Sequence, residues 1–426
     1  MKRKQFIKNA AAFSLPFVLN GLGVRVFGRE SVINSMLPFA SPDSDRILVM
    51  IQLFGGNDGL NTIIPLDQYD NYFKVREKIA IEEKKILSLN GITHSGFHPA
   101  LAGLQQLYND KQLSVLQSVG YANPDFSHFR SSDIWMSGSA SSQSLNTGWT
   151  GRLLDNAFPA YPAGYPNSSS PDPLAIQIGL ASSLVFQGPK IPMSLNIADP
   201  DKNFDLVNGF TDAAPSTHGG DELKFIRLIA EQVTSYSQVI KAAAYNVKSQ
   251  SGYPANNPLA QQLKTVARLV KGGLKTRFYL VSLDGFDTHG EQAVAGDTTK
   301  GRHADLLQFT GDAIKAFQDD LEFLGISEKV AGMTFSEFGR RIAANESMGT
   351  DHGAAAPLFV FGKKVKGGFI GENPVVPEKV GVEENLPMKI DFRSVYAALL
   401  RDWMGVPESL ISSLLFKDEK PLQLFT

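Results

Sequence analysis

The sequence predicts an α/β protein, with a mostly parallel central sheet and helices on both faces. Three observations predict it. Continuous apolar runs such as "RILVMIQLF" and "RFYLVSL" suit strands buried on both faces. These runs alternate with segments whose apolar residues recur at helical spacing. Polar, glycine-rich clusters follow the runs, as ligand-bearing loops do beyond the carboxyl ends of strands in open α/β sheets. With 426 residues, 43% of them hydrophobic, the chain can bury a large core.

Taken in order, the first strand begins at Arg46 and ends in the turn residues "GGNDG". "HPALAGLQQLYNDKQ" follows as a helix with Leu101, Leu104 and Leu107 on one face, and "LSVLQSVG" returns to strand. Residues 139–221 break the alternation; they are rich in Ser, Gly, Pro and Asn and hold one strand, "LAIQIG". A loop-rich stretch of that length reads as an insertion that covers an edge or a site. Two helices come next, one over about Asp221 to Lys248 and one opened by Asn257 as cap with Pro258 at its first position. Then the alternation is clearest: strand "RFYLVSL", loop "DGFDTHG", a helix with Leu306, Ala313, Ile314, Phe317, Leu321 and Leu324 on one face, strand "KVAGMTFS", loop "EFGRR" and strand "PLFVFG". A last helix, "FRSVYAALLRDWMG", is capped by Asp391 and closed by Gly405.

Composition excludes several functions. With 41 Lys plus Arg against 43 Asp plus Glu, a net charge of -2 gives no general attraction to nucleic acid or an anionic membrane. The absence of cysteine excludes disulfides, thiolate metal sites, a cysteine nucleophile and a lipid-modified N-terminal cysteine. The first 40 residues read as an export signal and leader, because "MKRKQFIKNAAAFSLPFVLNGLGV" has a basic head and a short apolar stretch. "RKQFIK" resembles the twin-arginine pattern with Lys4 at the second arginine. The apolar part is too short to span a bilayer, so the mature chain is expected to carry no membrane span and to be exported, to the periplasm or cell surface.

The polar clusters carry the chemistry. Asn57 and Asp58 follow the first strand; Asp284, Asp287 and His289 follow "FYLVSL"; Ser336, Glu337, Arg340 and Arg341 follow "VAGMTF". In an extended segment Asp287 and His289 point the same way, and Asp284 can reach them around the Gly285 turn. Asp and His together suit zinc, manganese or iron, and carboxylates also serve calcium or magnesium. Asp351 and His352 enter the last strand, so they reach the same rim only if their loop crosses back over it. The forks of Arg340 and Arg341 match a phosphate or sulfate, and an arginine at a helix start opposes the dipole unless it serves a ligand. Among the remaining histidines, His98 is expected beside a helix cap, His303 to face solvent, and His94 and His218 to sit in polar loops.

The motifs "LFGGNDGLN", "PDFSHFRSSDIWMSG", "SLDGFDTHG", "TFSEFGRR" and "GTDHGAAAPLFVFG", in this order, resemble DUF1501, a bacterial family of unknown function whose members carry twin-arginine-type signals. The resemblance implies an alkaline phosphatase-like three-layer α/β/α sandwich, sulfatase-like, and metal-assisted hydrolysis of phosphate or sulfate esters. It implies Asp58 as a first-strand metal ligand, Asp287 and His289 as the Asp and His pair with Asp284 upstream, Glu337 as a later ligand beside Phe338, which cannot ligate, and His352 as the late histidine. Counting back from Trp135, the nucleophile position falls on His128, while Ser127 beside it is the chemically preferred nucleophile. Arg340 would then neutralise charge in the reaction.

The expected function is an exported hydrolase of anionic esters, sugar-linked ones included, using a divalent metal that is zinc, calcium, manganese or magnesium. The alternative is a non-catalytic secreted or cell-surface binding protein that keeps the fold, acting in polysaccharide handling. Residues 45–426 are expected to form one domain, with 139–221 as an elaboration of it.

Overall fold

The computed structural model describes residues 45–179, 182–200, 214, 217–417 and 422–426. The expected export signal and leader lie outside the described residues. In chain order the described strands and α-helices begin with β1 (Ile47–Phe54), α1 (Gly59–Thr62), β2 (Ile63–Pro65), α2 (Tyr69–Val75), β3 (Leu87–Leu89), β4 (Ile92–Phe97), α3 (Ala102–Asn109), β5 (Leu113–Gly120), α4 (His128–Ser137) and α5 (Trp149–Ala157). They continue with β6 (Ala175–Ile178), β7 (Leu195–Ile197), α6 (His218–Asn246), α7 (Pro258–Lys271), β8 (Phe278–Asp284), α8 (Arg302–Phe323), β9 (Val330–Phe335), β10 (Ala356–Gly362), β11 (Gly368–Ile370), β12 (Ile390–Asp391), α9 (Phe392–Ala398) and α10 (Glu408–Leu415).

The central sheet runs β11-β5-β10-β9-β1-β8-β6-β7, with β12 beside β5. Residues of β1 alternate between two cores. Ile47, Val49, Ile51 and Leu53 pack with Leu104 of α3, Leu263 of α7 and Phe317 of α8. Leu48 and Met50 pack with Ile134 of α4, Trp149 of α5, Phe392 of α9 and Ile411 of α10. Both faces of the strand are therefore buried, which is why its sequence is a continuous apolar run and not an alternating one. Each such side chain contributes roughly 1.5–3 kcal/mol by leaving water, so the two cores hold the layers together.

Caps behave as the sequence predicts: the Asn257 side chain accepts from the Ala260 amide at 3.0 Å, and Asp391 from the Arg393 amide at 3.0 Å. Helix α9 then continues through a π-turn over Leu399–Trp403, and a further helix, α10, follows it. The stretch 139–221 differs from expectation. Among the described residues it supplies two strands, not one, and both enter the central sheet, β6 pairing with β8 and β7 with β6, all parallel. The second of them, β7, is the edge strand and only three residues long, too short an apolar segment to read as a strand.

One strand is reversed. β10 is antiparallel to both β5 and β9, whereas β1 is parallel to β8 and β9. The entry to β10 therefore lies at the same end of the sheet as the exits of β1, β8 and β9. His352 reaches the rim for this reason: no crossing loop is needed. A short ribbon then ties the loops after β9 and before β10, with the Gly353 amide donating to Gly339 O at 2.8 Å and the Arg341 amide to Asp351 O at 3.0 Å.

Candidate metal centre

Loops from β1, β8, β9 and β10 meet at this rim, and two glycines let them meet. Gly55 and Gly56 have φ of 122° and 84°, outside the range most side chains tolerate. A Cβ on Gly55 would lie 2.2 Å from the Asp287 amide nitrogen, and one on Gly56 would lie 2.4 Å from the Phe338 ring. Only glycine allows the β1 loop to pass between them.

Three side chains converge. One donor atom each from His128, Asp287 and His352 lies within 4.8 Å of the others, the only such group of three among the described residues. His128 opens α4, Asp287 follows β8, and His352 precedes β10. Nε2 of His128 is 3.5 Å from Asp287 Oδ2, and Nε2 of His352 is 3.4 Å from Asp287 Oδ1.

Both imidazoles are oriented through their other nitrogen. His128 Nδ1 is 2.7 Å from Glu337 Oε1, and His352 Nδ1 is 2.7 Å from the Phe126 carbonyl oxygen. A carboxylate and a carbonyl can only accept, so each Nδ1 is an N–H donor, and in the neutral ring the Nε2 lone pair faces Asp287. Such a pair of nitrogens facing a carboxylate fits a divalent cation. Ligands about 2.0–2.1 Å from a tetrahedral ion stand roughly 3.3 Å apart; here the two nitrogens lie 3.5 and 3.4 Å from different oxygens of Asp287, and one donor atom from each of the three residues lies within 4.8 Å of the others.

The surroundings set the charge states. The Glu337 hydrogen bond and charge, outweighing burial, raise His128 above the ordinary imidazole range. Burial lowers His352, and the nearby Arg340, His128 and His289 lower it further against the Phe126 carbonyl. Burial disfavours the charged form of Asp287, but the Arg340 hydrogen bond and charge win and hold it well below the usual carboxylate range. Phe338 is buried and walls the site, its ring centroid 4.9 Å from His128 and 4.6 Å from His352.

The remaining candidates are placed differently. His289 stays near, with Nδ1 2.7 Å from Asp287 Oδ1, but it lies outside the converging three. Glu337 is buried and stands behind His128; its Oε1 also accepts from the Gly55 amide at 2.8 Å. Asp284 is exposed, accepts from the Gly285 amide at 2.6 Å, and lies outside the converging three. Asp58 is wholly buried and bound by Arg76, whose Nη1 lies 2.8 and 2.6 Å from its two oxygens. Burial opposes its ionisation, yet Arg76, with His303 and Gln292, keeps it below the usual range.

Arg340 is not available to a substrate. It is fully buried, and its Nε donates to Gly56 O at 2.8 Å, Nη1 to Thr350 O at 2.8 Å, and Nη2 to Gly55 O, to Phe286 O at 3.1 Å and to Asp287 at 2.7 Å. A guanidinium placed among unpaired loop carbonyls satisfies them before it can grip an ester. Ser127 is the N-cap of α4, exposed, and its side chain makes no capping bond.

Of the other histidines, His98 caps a turn, its Nδ1 accepting from the Ala100 amide at 3.1 Å. His94 lies on β4, not in a loop, and His218 is the first residue of α6. His303 does not face solvent: it is buried, with Nε2 3.0 Å from Asn57 Oδ1. Sequence reasoning missed Arg76 and Gln292, which support the site from beneath. Arg76 sits in "KVREK", where surrounding charges read as a solvated face. A glutamine in a loop carries no comparable signal.

No curated protein matches the sequence. Among solved structures, a protein in the alkaline phosphatase superfamily from Vibrio parahaemolyticus is 10% identical, with a TM-score of 0.39, over 93% of this chain and 80% of that one. The PsFucS1 sulfatase from Pseudoalteromonas sp. is 12% identical, with a TM-score of 0.36, over 93% and 78%. The putative sulfatase yidJ from Bacteroides fragilis is 10% identical, with a TM-score of 0.35, over 94% and 82%. At such scores the likeness says nothing about chemistry. The model of the family described as protein of unknown function (DUF1501) matches residues 220–415, which takes in Asp287, His289, Glu337 and His352 but not His128 or Asp58. Over residues 220–415 the chain carries the DUF1501 pattern that its motifs resemble.

Proposed function

We propose that the chain is an exported, divalent-metal-dependent hydrolase of phosphate or sulfate esters, sugar-linked ones included. The observation that supports it most is the convergence of His128, Asp287 and His352 with both imidazoles turned by partners on their far side. A divalent cation held there supplies Lewis-acid polarisation of an ester oxygen and activation of water at neutral pH.

The chain's own groups have separate tasks in this reading. Glu337 and the Phe126 carbonyl keep the two imidazoles in the tautomer that offers Nε2. Phe338 keeps water from the back of the site. His289, about half exposed and bonded to Asp287, stands where it can pass a proton to a leaving oxygen. The amino end of α4, which begins at His128 and has no side-chain cap, favours an anion through its dipole. We assign the attacking oxygen to water and not to Ser127, whose hydroxyl has no hydrogen-bond partner to activate it among the described residues. Export rests on the basic and apolar N-terminal sequence; among the described residues, no helix is long and apolar enough to cross a membrane.

The test is hydrolysis of aryl phosphates and aryl sulfates by the full chain supplied with zinc, manganese, calcium or magnesium. Turnover of one ester class that is abolished by a chelator and by His352→Ala supports the reading. The saturated Arg340 favours the second reading, a binding protein that keeps the fold, because Arg341, which also touches the three converging residues, is spent on the His352 and Val382 carbonyls. Inactivity with every metal would select it.

A further inference from the structure

We propose that the chain takes one divalent cation, and that the buried guanidinium of Arg76 is the permanent counter-charge of Asp58, coupled through Gln292 to the two loops that carry Asp287 and His352. This inference rests on the reading that His128, Asp287 and His352 hold a metal.

The rim loops carry more acidic and imidazole groups than one ion needs, so a second ion is a natural question. Its best carboxylate would be Asp58. That group is already saturated: Arg76 donates to both oxygens, and Gln292 Nε2 donates to Oδ2 at 2.5 Å. Both side chains of the Asp58 and Arg76 pair are 0% exposed. Arg76 is further fixed by donating Nε to Ile342 O at 2.7 Å and Nη2 to Arg341 O at 2.6 Å. A metal could enter only by expelling that guanidinium, which would leave a buried cation and two carbonyls without partners.

The nearby donors are engaged too: His289 Nδ1 lies 2.7 Å from Asp287 Oδ1, and Glu337 Oε2 accepts from the Ser336 hydroxyl at 3.4 Å. Glu337 Oε1 serves the Gly55 amide and His128, Phe338 offers no donor atom, and Asp284 points to its own loop. The Asp58 pair has a different role. Gln292 Oε1 accepts from the Thr288 hydroxyl at 2.9 Å and from the Thr350 hydroxyl at 2.8 Å. Thr288 lies between Asp287 and His289, and Thr350 lies two residues before His352. The Thr350 amide also donates to Thr288 O at 3.1 Å. One amide side chain thus clamps both ligand loops and anchors them to a fixed internal ion pair. Gln292 is a positioning residue, since it touches the loops and not the metal.

The experiment is titration of the metal-stripped full chain with zinc(II), and separately with manganese(II), read by calorimetry and native mass spectrometry. One equivalent is expected for the parent and for Asp58→Asn. Gln292→Leu should also bind one equivalent, about 10–100-fold more weakly, as removal of outer-shell partners does. Two equivalents in the parent, with one lost in Asp58→Asn, would overturn this inference and leave the metal reading standing. No binding at all would overturn the metal reading, and the inference with it. A Gln292→Leu protein with lowered melting temperature but unchanged metal affinity would overturn the positioning role. Should either variant fail to fold, the parent's count alone decides the number of ions.

Discussion

His128 and Asp287 lie far apart in the sequence and face each other across the rim, with Nε2 3.5 Å from Oδ2. Neither is drawn into that approach by a direct hydrogen bond between them. Each is held from behind, His128 by Glu337 and Asp287 by Arg340. Two groups presented in this way leave a gap suited to a third partner, and the following predictions treat that partner as a cation.

Removal of either imidazole should remove the ion. His128→Ala and His352→Ala are each expected to weaken zinc binding by more than about 100-fold, beyond the loss typical of an outer-shell change. Both should also lose the rise in melting temperature that metal gives the parent. Calorimetry and thermal melts with and without metal measure this, and unchanged affinity in either variant would remove that residue from the ligand set.

Glu337→Gln should act in two directions at once. At high pH the neutral amide supports His128 less well, so affinity falls by about 10–100-fold. Loss of the Glu337 charge also lowers the His128 pKa, which the parent holds raised. Protons then compete less, so the acid limb of the affinity profile should move to lower pH. Metal titrations across pH separate the two effects; a limb that does not move would refute the pairing.

Much of this was legible in the sequence. The runs at β1, β5, β8, β9 and β10 were readable because strands buried on both faces cannot alternate, and the Asp287, His289 and His352 loops because glycine-flanked acids and imidazoles are rare. The direction of β10 was not readable. Its residues look the same in either orientation, and direction is decided by pairing with β5 and β9. The partners of Asp58 and Arg340 were not readable for a shared reason: a charged side chain in a motif reads as a ligand until the burial of its partner is known. Arg76 supplies that partner for Asp58, and loop carbonyls supply it for Arg340.

Arg340→Met should destabilise the fold, not merely the chemistry. It leaves the carbonyls of Gly55, Gly56, Phe286 and Thr350 without this donor and Asp287 without its nearest cation. A loss of about 3–5 kcal/mol is expected, as for leaving several buried carbonyls without a donor. Urea denaturation measures it, and a loss below about 1 kcal/mol would mean the guanidinium is not the keystone of these loops.

Acid should weaken the fold through two buried histidines. Burial lowers His303 to about 4 and His98 to about 3, against an ordinary value of 6.5. Between pH 6.5 and those values the unfolded chain binds protons that the folded chain refuses, so stability falls as pH falls. It is complete above about pH 6.5, and each histidine contributes a slope of up to about 1.4 kcal/mol per pH unit within the window. His303→Gln should flatten the profile there. Denaturation midpoints measured from pH 7 to pH 4 check this, and a profile unaltered by the substitution would contradict it.

The account's central claim is that His128, Asp287 and His352 bind one cation together, and crystals of the full chain grown with zinc test it most directly. An anomalous difference map at the zinc edge is predicted to show a single peak, about 2.0–2.2 Å from His128 Nε2, Asp287 and His352 Nε2. No peak between these three side chains, or a peak beside Asp58 in their place, would contradict it.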